Sequence, residues 1–321
     1  AKGVIDESVR GMDLYILVDV CNYSLTYSMS GNTNHMSPDD HYQNLKRIIA
    51  AVGGKAKRIN VIMPFLYESR QHKRSSRESL DCALALQELT HMGVDNIITF
   101  DAHDPRVQNA IPLSGFETVR PTYQFVKGLL DRYDDLIIDS DHMMAISPDE
   151  GATERAVYLA NVLNLDMGMF YKRRDYTRVV NGRNPIVAHE FLGSSVEGKD
   201  VIILDDMISS GDSILDVAKQ LKSRNAKRIF AAATFGLFTN GLDKFDEAYE
   251  SGLIDGVLTT NLIYQTPELL SRPYYINCDM SKYVALMIDT LNHDGSISDI
   301  LDPSERIQVC VEEYKKAHGQ L

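Results

Sequence analysis

Short apolar runs alternate with longer amphipathic stretches along most of this chain. Residues 14–18 (LYILV), 59–63 (INVIM) and 97–100 (IITF) are compact apolar runs, the pattern of strands buried on both faces. Between the second and third, residues 77–92 have helical spacing. Ser75 precedes Glu78 by three residues, as in a capping box, and Gly93 follows as a stop. The same rhythm predicts a helix at 122–133, a strand at 143–146, a helix at 153–163, strands at 167–171 and 201–204, and a helix at 213–224. Further strands are expected at 229–234, 257–260 and 274–277, then a helix at 280–292. Strand–helix alternation of this kind means mainly parallel sheets flanked by helices, an α/β fold.

Residues 22–42 break the rhythm. They are polar, contain His35 and His41, and read as a long surface loop. No Gly/Ser or Pro-rich linker divides the chain. The charged cluster at 134–140 is the best candidate boundary, giving an N-terminal domain over 1–134, a second over 135–295, and a tail over 296–321 expected to pack back on the first. A length of 321 residues suits two domains, each large enough to bury a core.

Composition narrows the function. The hydrophobic and charged fractions, 44% and 24%, are those of an ordinary globular protein. No apolar run approaches the length of a membrane span, and the first residues lack a signal-peptide layout, so a cytoplasmic protein is expected. A net charge of −12 argues against a general nucleic-acid binder, which needs a basic face. It leaves room for a local basic pocket. Cys21, Cys82, Cys278 and Cys310 are scattered, without the spacing of a metal site or a disulfide framework.

In open α/β sheets ligands bind at the carboxyl ends of strands. Two such ends echo each other: IITFDAHD at 97–104 and VIILDDMISSGD at 201–212. In the second, Asp205 and Asp206 lead through Ser209, Ser210 and Gly211 to Asp212 and Ser213 at a helix start. A helix N-terminus offers amide groups and a positive dipole end to a phosphate. The carboxylates can hold ribose hydroxyls or a metal. A helix cap behind a solvated acidic turn explains the same residues. The segment Ser147-Pro148-Asp149-Glu150-Gly151-Ala152 also joins a strand to a helix, with Asp149 as a magnesium ligand or a simple cap. His103, between Asp101 and Asp104, is a metal candidate or a structural histidine. Arg70, Gln71, His72, Lys73, Arg74 and Arg77 form a basic cluster in an acidic protein, which favours an anion over a merely solvated face. Lys172, Arg173 and Arg174 end a strand ahead of an aperiodic stretch, where cations can neutralise charge during phosphoryl transfer.

In this order the five segments resemble the ribose-phosphate pyrophosphokinase (phosphoribosyl pyrophosphate synthetase) family. The resemblance runs from Glu7-Ser8-Val9-Arg10-Gly11 to Asp302, with further matches at 97–103, Gln108 and 233–238 (ATFGLF). It implies two similar phosphoribosyltransferase-like (type I) domains, the first on the ATP side and the second on the ribose 5-phosphate side. The implied reaction moves pyrophosphate from ATP to the anomeric hydroxyl of ribose 5-phosphate, giving phosphoribosyl pyrophosphate and AMP. By resemblance, Arg70 and Gln71 contact ATP, while His103 and Asp149 bind the Mg2+ that accompanies it. Lys172 and Arg174 stabilise the transferring group. Asp205 and Asp206 hold the ribose hydroxyls, with a second magnesium, and Ser209, Ser210, Gly211, Asp212 and Ser213 cradle the 5-phosphate. A dimer-based homo-oligomer, up to a hexamer, is implied as well.

The chain departs from the family in several places. Ser209-Ser210 replaces Asp-Thr, Asp212 stands where glycine is common, Ala152 replaces a glycine, and Phe235 a histidine. Nothing ahead of Glu7 matches the family's opening strand and hairpin, so a divergent member without the usual N-terminal segment is expected. Two other readings use the same motifs: a non-catalytic regulatory subunit of such a synthetase, and a phosphoribosyltransferase.

Overall fold

The computed structural model describes residues 1–174 and 186–320; the side chains of 172–174 and 186–189 lie outside the description. In chain order the elements are β1 (Asp13–Leu17), β2 (Thr26–Met29), β3 (Asn32–His35), α1 (Pro38–Val52), β4 (Arg58–Ile62), α2 (Asp81–His91), β5 (Asn96–Phe100) and β6 (Gly115–Val119). Then come α3 (Thr122–Arg132), β7 (Met143–Ser147), α4 (Thr153–Leu163), β8 (Asp166–Arg174), β9 (Ile186–Leu192), β10 (Asp200–Ile208), α5 (Asp212–Lys222) and β11 (Arg228–Gly236). The last are α6 (Asp243–Glu250), β12 (Gly256–Thr260), α7 (Pro267–Leu270), β13 (Tyr275–Cys278), α8 (Ser281–Asn292), α9 (Ser298–Leu301) and α10 (Ser304–Ala317).

The chain divides into two compact units. The first holds Ala1–Pro121, Asn261–Gln265 and Asp279–Asp302; the second holds Thr122–Thr260, Thr266–Cys278 and Pro303–Leu321. In the first, β1-β4-β5-β6 form a parallel sheet. Its apolar strand residues (Ile59, Val61, Ile97) pack with Tyr42, Leu45, Ile49 and Val52 of α1 and Leu86 and Leu89 of α2. In the second, seven strands run β13-β12-β11-β10-β7-β8-β9, parallel except for the antiparallel β8–β9 pair.

Alternate side chains of a strand point to opposite faces, and this sheet is covered on both. Ile202 and Leu204 of β10 and Phe230 and Ala232 of β11 face the layer of α3, α4 and α10. Val201, Ile203, Ile229 and Ala231 face α5 and α6. Covering both faces with helices is why these strands read as continuous apolar runs.

Four expectations are corrected. Residues 22–42 are not a loop: they form the β2–β3 hairpin and the start of α1. Ser37 and Asp40 make a reciprocal capping box with Pro38 at the first helical position. Tyr42, Leu45, Ile49 and Val52 then bury one helical stripe, so His41 is buried rather than on a surface loop. The helix expected from Arg77 begins at Asp81. Ser75 and Glu78 do pair, the Ser75 amide donating over 3.2 Å, but within the preceding loop.

The division falls after Pro121, not near residue 134, because α3 packs on the second sheet through Phe125, Val126, Leu129 and Leu130. The C-terminal helix also belongs to the second unit. The Tyr314 hydroxyl donates to the Tyr133 carbonyl (2.8 Å) and accepts from the Leu136 amide (3.0 Å). Only Asp279–Asp302 of the chain's end lies in the first unit. Among the described residues, no helix is long and apolar enough to cross a membrane.

Candidate active site

In the second unit the chemistry gathers at the carboxyl ends of β7 and β10, which are paired neighbours in the sheet. Asp205 and Asp206 lie within β10, which runs past the expected strand end to Ile208. Asp206 is buried, and its amide donates to Asp205 Oδ1 over 2.8 Å. Burial, the neighbouring Asp206 and then Asp149 push the Asp205 carboxyl well above its ordinary range. Two acids held together out of water cannot both ionise cheaply. The pair therefore holds a proton more tightly than a free carboxylate does, and suits a cation or hydroxyl donors.

Asp149 caps a short 3-10 turn after β7: its Oδ1 accepts from the Gly151 amide at 2.9 Å, and the Ser147 hydroxyl donates to its carbonyl at 2.6 Å. Ala152 is fully buried in that turn. The turn thus presents an oriented carboxylate on the strand next to the acid pair.

Past β10 the chain passes Ser209 and Ser210 and turns at Gly211 into α5. Gly211 has a left-handed backbone (φ +81°), and a Cβ there would lie 2.4 Å from the Phe245 ring. Only glycine meets both conditions. It has no side chain to cap α5, so the helix start is left to other partners and its dipole end faces the loop. Asp212 and Ser213 form the exposed first turn. The Asp212 carboxylate accepts from the Ser210 hydroxyl (3.0 Å) and pairs with Lys244 Nζ (2.5 Å). Lys244, then Ser210, holds this carboxyl below its usual range.

The loop rests on the segment after β11. The Leu237 and Phe238 amides donate to the Ile208 carbonyl, and the Thr239 amide donates to the Ser209 carbonyl at 3.0 Å. Phe238 meets Phe245 edge-on. Lys172 and Arg174 end β8; their side chains, and the stretch after them, lie outside the described residues.

In the first unit, Arg70 is exposed and Gln71 half-buried beyond β4. They follow a left-handed Glu68 (φ +54°), whose carbonyl accepts from the Gln71 amide at 2.8 Å. Tyr67 stacks on Tyr42 with centroids 4.3 Å apart, and its hydroxyl donates to Asp39. His103 lies just beyond β5, after a buried, left-handed Asp101. The structure adds a partner that sequence reading passed over: the His72 ring lies 5.2 Å from that of His103, and its Nε2 is 3.6 Å from Asp104. Burial, then His103, pushes the His72 pKa below its ordinary value. Arg106 clamps Asp104 and holds its carboxyl at about 2. Two imidazole rings beside a carboxylate are a donor set that suits a cation.

Among the described residues, no group of three or more His, Cys, Asp or Glu is assembled to hold a metal by itself. Magnesium, however, is commonly held by one or two carboxylates plus phosphate oxygens and water. The acid pair, with two adjacent carboxylates, fits that mode.

An acid pair on a parallel strand that runs into a glycine turn at a helix start suits a phosphorylated sugar, with amides for the phosphate and carboxylates for hydroxyl groups. Consistent with this, residues 120–260 match the phosphoribosyl transferase domain family, and residues 1–93 match the N-terminal domain of ribose phosphate pyrophosphokinase. A ribose-phosphate pyrophosphokinase of Mycoplasma genitalium is 31% identical over 81% of this chain and 71% of its own. One from Shewanella oneidensis is 29% identical over 92% and 85%. The crystal structure of phosphoribosylpyrophosphate synthetase from Mycobacterium smegmatis superposes with a TM-score of 0.73 at 24% identity, covering 91% of this chain and 86% of that one, and shows the fold. The chain belongs to the ribose-phosphate pyrophosphokinase family.

Proposed function

We infer that this protein is a ribose-phosphate diphosphokinase, making phosphoribosyl pyrophosphate and AMP from ATP and ribose 5-phosphate. The observation that carries the reading is the acid pair and Gly211 loop of the second unit, in a chain whose first 93 residues match the pyrophosphokinase N-terminal domain. A phosphoribosyltransferase accounts for the loop but not for that first segment.

In the proposed reaction the anomeric hydroxyl attacks the β-phosphorus of ATP. A new O–P bond forms, the bond from the β-phosphorus to the bridging oxygen of AMP breaks, AMP leaves with that oxygen, and the hydroxyl proton passes to solvent. The protein's work is positioning and charge neutralisation. Asp205 and Asp206 accept hydrogen bonds from the ribose hydroxyls. Ser209, Ser210, Gly211 and Ser213 cradle the 5-phosphate, and Asp212 is their neighbour. Arg70 and Gln71 hold the nucleotide phosphates, and Lys172 and Arg174 stabilise the transferring group. Bound Mg2+ would supply positive charge to the phosphate oxygens, with His103 and Asp149 as candidate ligands of the ion carried with ATP and the acid pair as candidate ligands of a second ion. We further propose that the protein is cytoplasmic and assembles as a dimer-based homo-oligomer.

AMP release from ATP and magnesium, measured with and without ribose 5-phosphate, tests the reading. Release that depends on the sugar supports it. No release, with ribose 5-phosphate binding still seen by calorimetry, replaces it with the regulatory-subunit reading.

A further inference from the structure

A carboxylate in the first turn of a phosphate-binding helix is an electrostatic liability. Asp212 occupies that position, and a bound sugar phosphate brings a charge near −2 to the same place. Like charges at this range disfavour each other unless one is neutralised or turned away.

The structure shows how the liability is met. One oxygen of Asp212 pairs with Lys244 Nζ at 2.5 Å, and the other accepts from Ser210 at 3.0 Å. Lys244 comes from the first turn of α6, 32 residues along the chain. The adjacent residue, Phe245, is buried and fills the space beside Gly211 that a Cβ would need. The entry to α6 is tied to the loop a third time, by the Thr239 amide on the Ser209 carbonyl. One helical turn therefore both braces the loop and supplies the countercharge, so the ammonium is fixed relative to the phosphate site.

We propose that Lys244 is a positioning residue for ribose 5-phosphate: it holds the Asp212 carboxylate away from the bound 5-phosphate and cancels its charge. This rests on residues 209–213 being the phosphate cradle. Lys244 itself need not touch the substrate. The pair is exposed, with side chains about half accessible, so it adds little to the fold. Its effect appears when the dianion arrives.

The test is steady-state kinetics of the full-length protein with ribose 5-phosphate varied, on Lys244→Ala, Lys244→Arg and the double variant Asp212→Asn/Lys244→Ala. Lys244→Ala should raise KM for ribose 5-phosphate about tenfold while kcat and KM for ATP stay within about twofold, because an uncompensated carboxylate weakens dianion binding without touching the transferring group. Lys244→Arg should restore most of the affinity, since the charge is kept. The double variant should recover most of it as well, because the liability is gone. Increasing salt should shrink the difference between Lys244→Ala and wild type. An unchanged KM in Lys244→Ala overturns the proposal, and so does a double variant as impaired as Lys244→Ala. A wild-type protein that shows no ribose 5-phosphate binding by calorimetry overturns the cradle assignment itself, and the proposal with it.

Discussion

Gly211→Ala tests the phosphate loop most sharply, because two independent costs meet at one position. The first is conformational: φ is +81°, where a side chain costs about 1–2 kcal/mol. The second is steric. The new Cβ would lie 2.4 and 2.5 Å from two carbons of the Phe245 ring. That ring is fully buried, packed edge-on against Phe238 in a core shared with Ile214 and Val217. It cannot swing away, and overpacking of this kind costs about 1–3 kcal/mol. Together the two costs come to about 2–5 kcal/mol. Urea unfolding monitored by circular dichroism reads this as a lower midpoint. Calorimetry should show ribose 5-phosphate affinity falling with it, because relief by moving the loop displaces Ser209 and Ser210. Adding Phe245→Leu should return the steric part and leave the conformational part. A Gly211→Ala protein within about 0.5 kcal/mol of wild type, with intact sugar affinity, would refute both the loop geometry and its role.

Arg228→Ala should destabilise the second unit by about 3–5 kcal/mol in the same unfolding assay, because it strands the buried Asp200 that Arg228 now grips through two hydrogen bonds of 2.9 and 2.7 Å. Asp205→Asn should abolish sugar affinity yet raise the unfolding midpoint at neutral pH. The folded Asp205 carboxyl titrates well above its ordinary 3.8, so the folded state binds the proton more tightly than the unfolded chain. Wild-type stability then falls as pH rises through that raised range, and the variant's advantage should vanish in acid below the ordinary value. Lys172→Ala should lower kcat by about 10²–10³-fold with an unchanged unfolding midpoint, as expected for loss of a transition-state contact; near-normal turnover would remove its proposed role.

Much of the second unit was legible because its strands are buried on both faces and read as unbroken apolar runs, and α4 falls on the expected residues 153–163. The acid–serine–glycine segment was legible for a related reason: apolar residues running into acids and small residues mark a strand end entering a helix. The first unit was harder. The capping box of α1 uses Asp40 instead of glutamate or glutamine, and the polar hairpin before it hides the helix start. The serine–glutamate pair at 75 and 78 satisfied a capping pattern locally without starting a helix, since such contacts also stabilise turns. The boundary was misplaced because a charged cluster marks surface, whereas the packing of α3 on the second sheet decides which unit it joins. Lys244, and the proximity of His72 to His103, were missed for a physical reason: one contact reaches Asp212, 32 residues away, and the other joins the segments that follow two separate strands. Neither contact has a local signature.

The central claim is that the chain moves an intact pyrophosphoryl group to ribose 5-phosphate. ATP radiolabelled at the β-phosphate, incubated with the protein, magnesium and ribose 5-phosphate, tests it directly. The account predicts that the label moves to the sugar product and that the AMP released is unlabelled. Label left in ADP, or released as free pyrophosphate without entering the sugar, would contradict it.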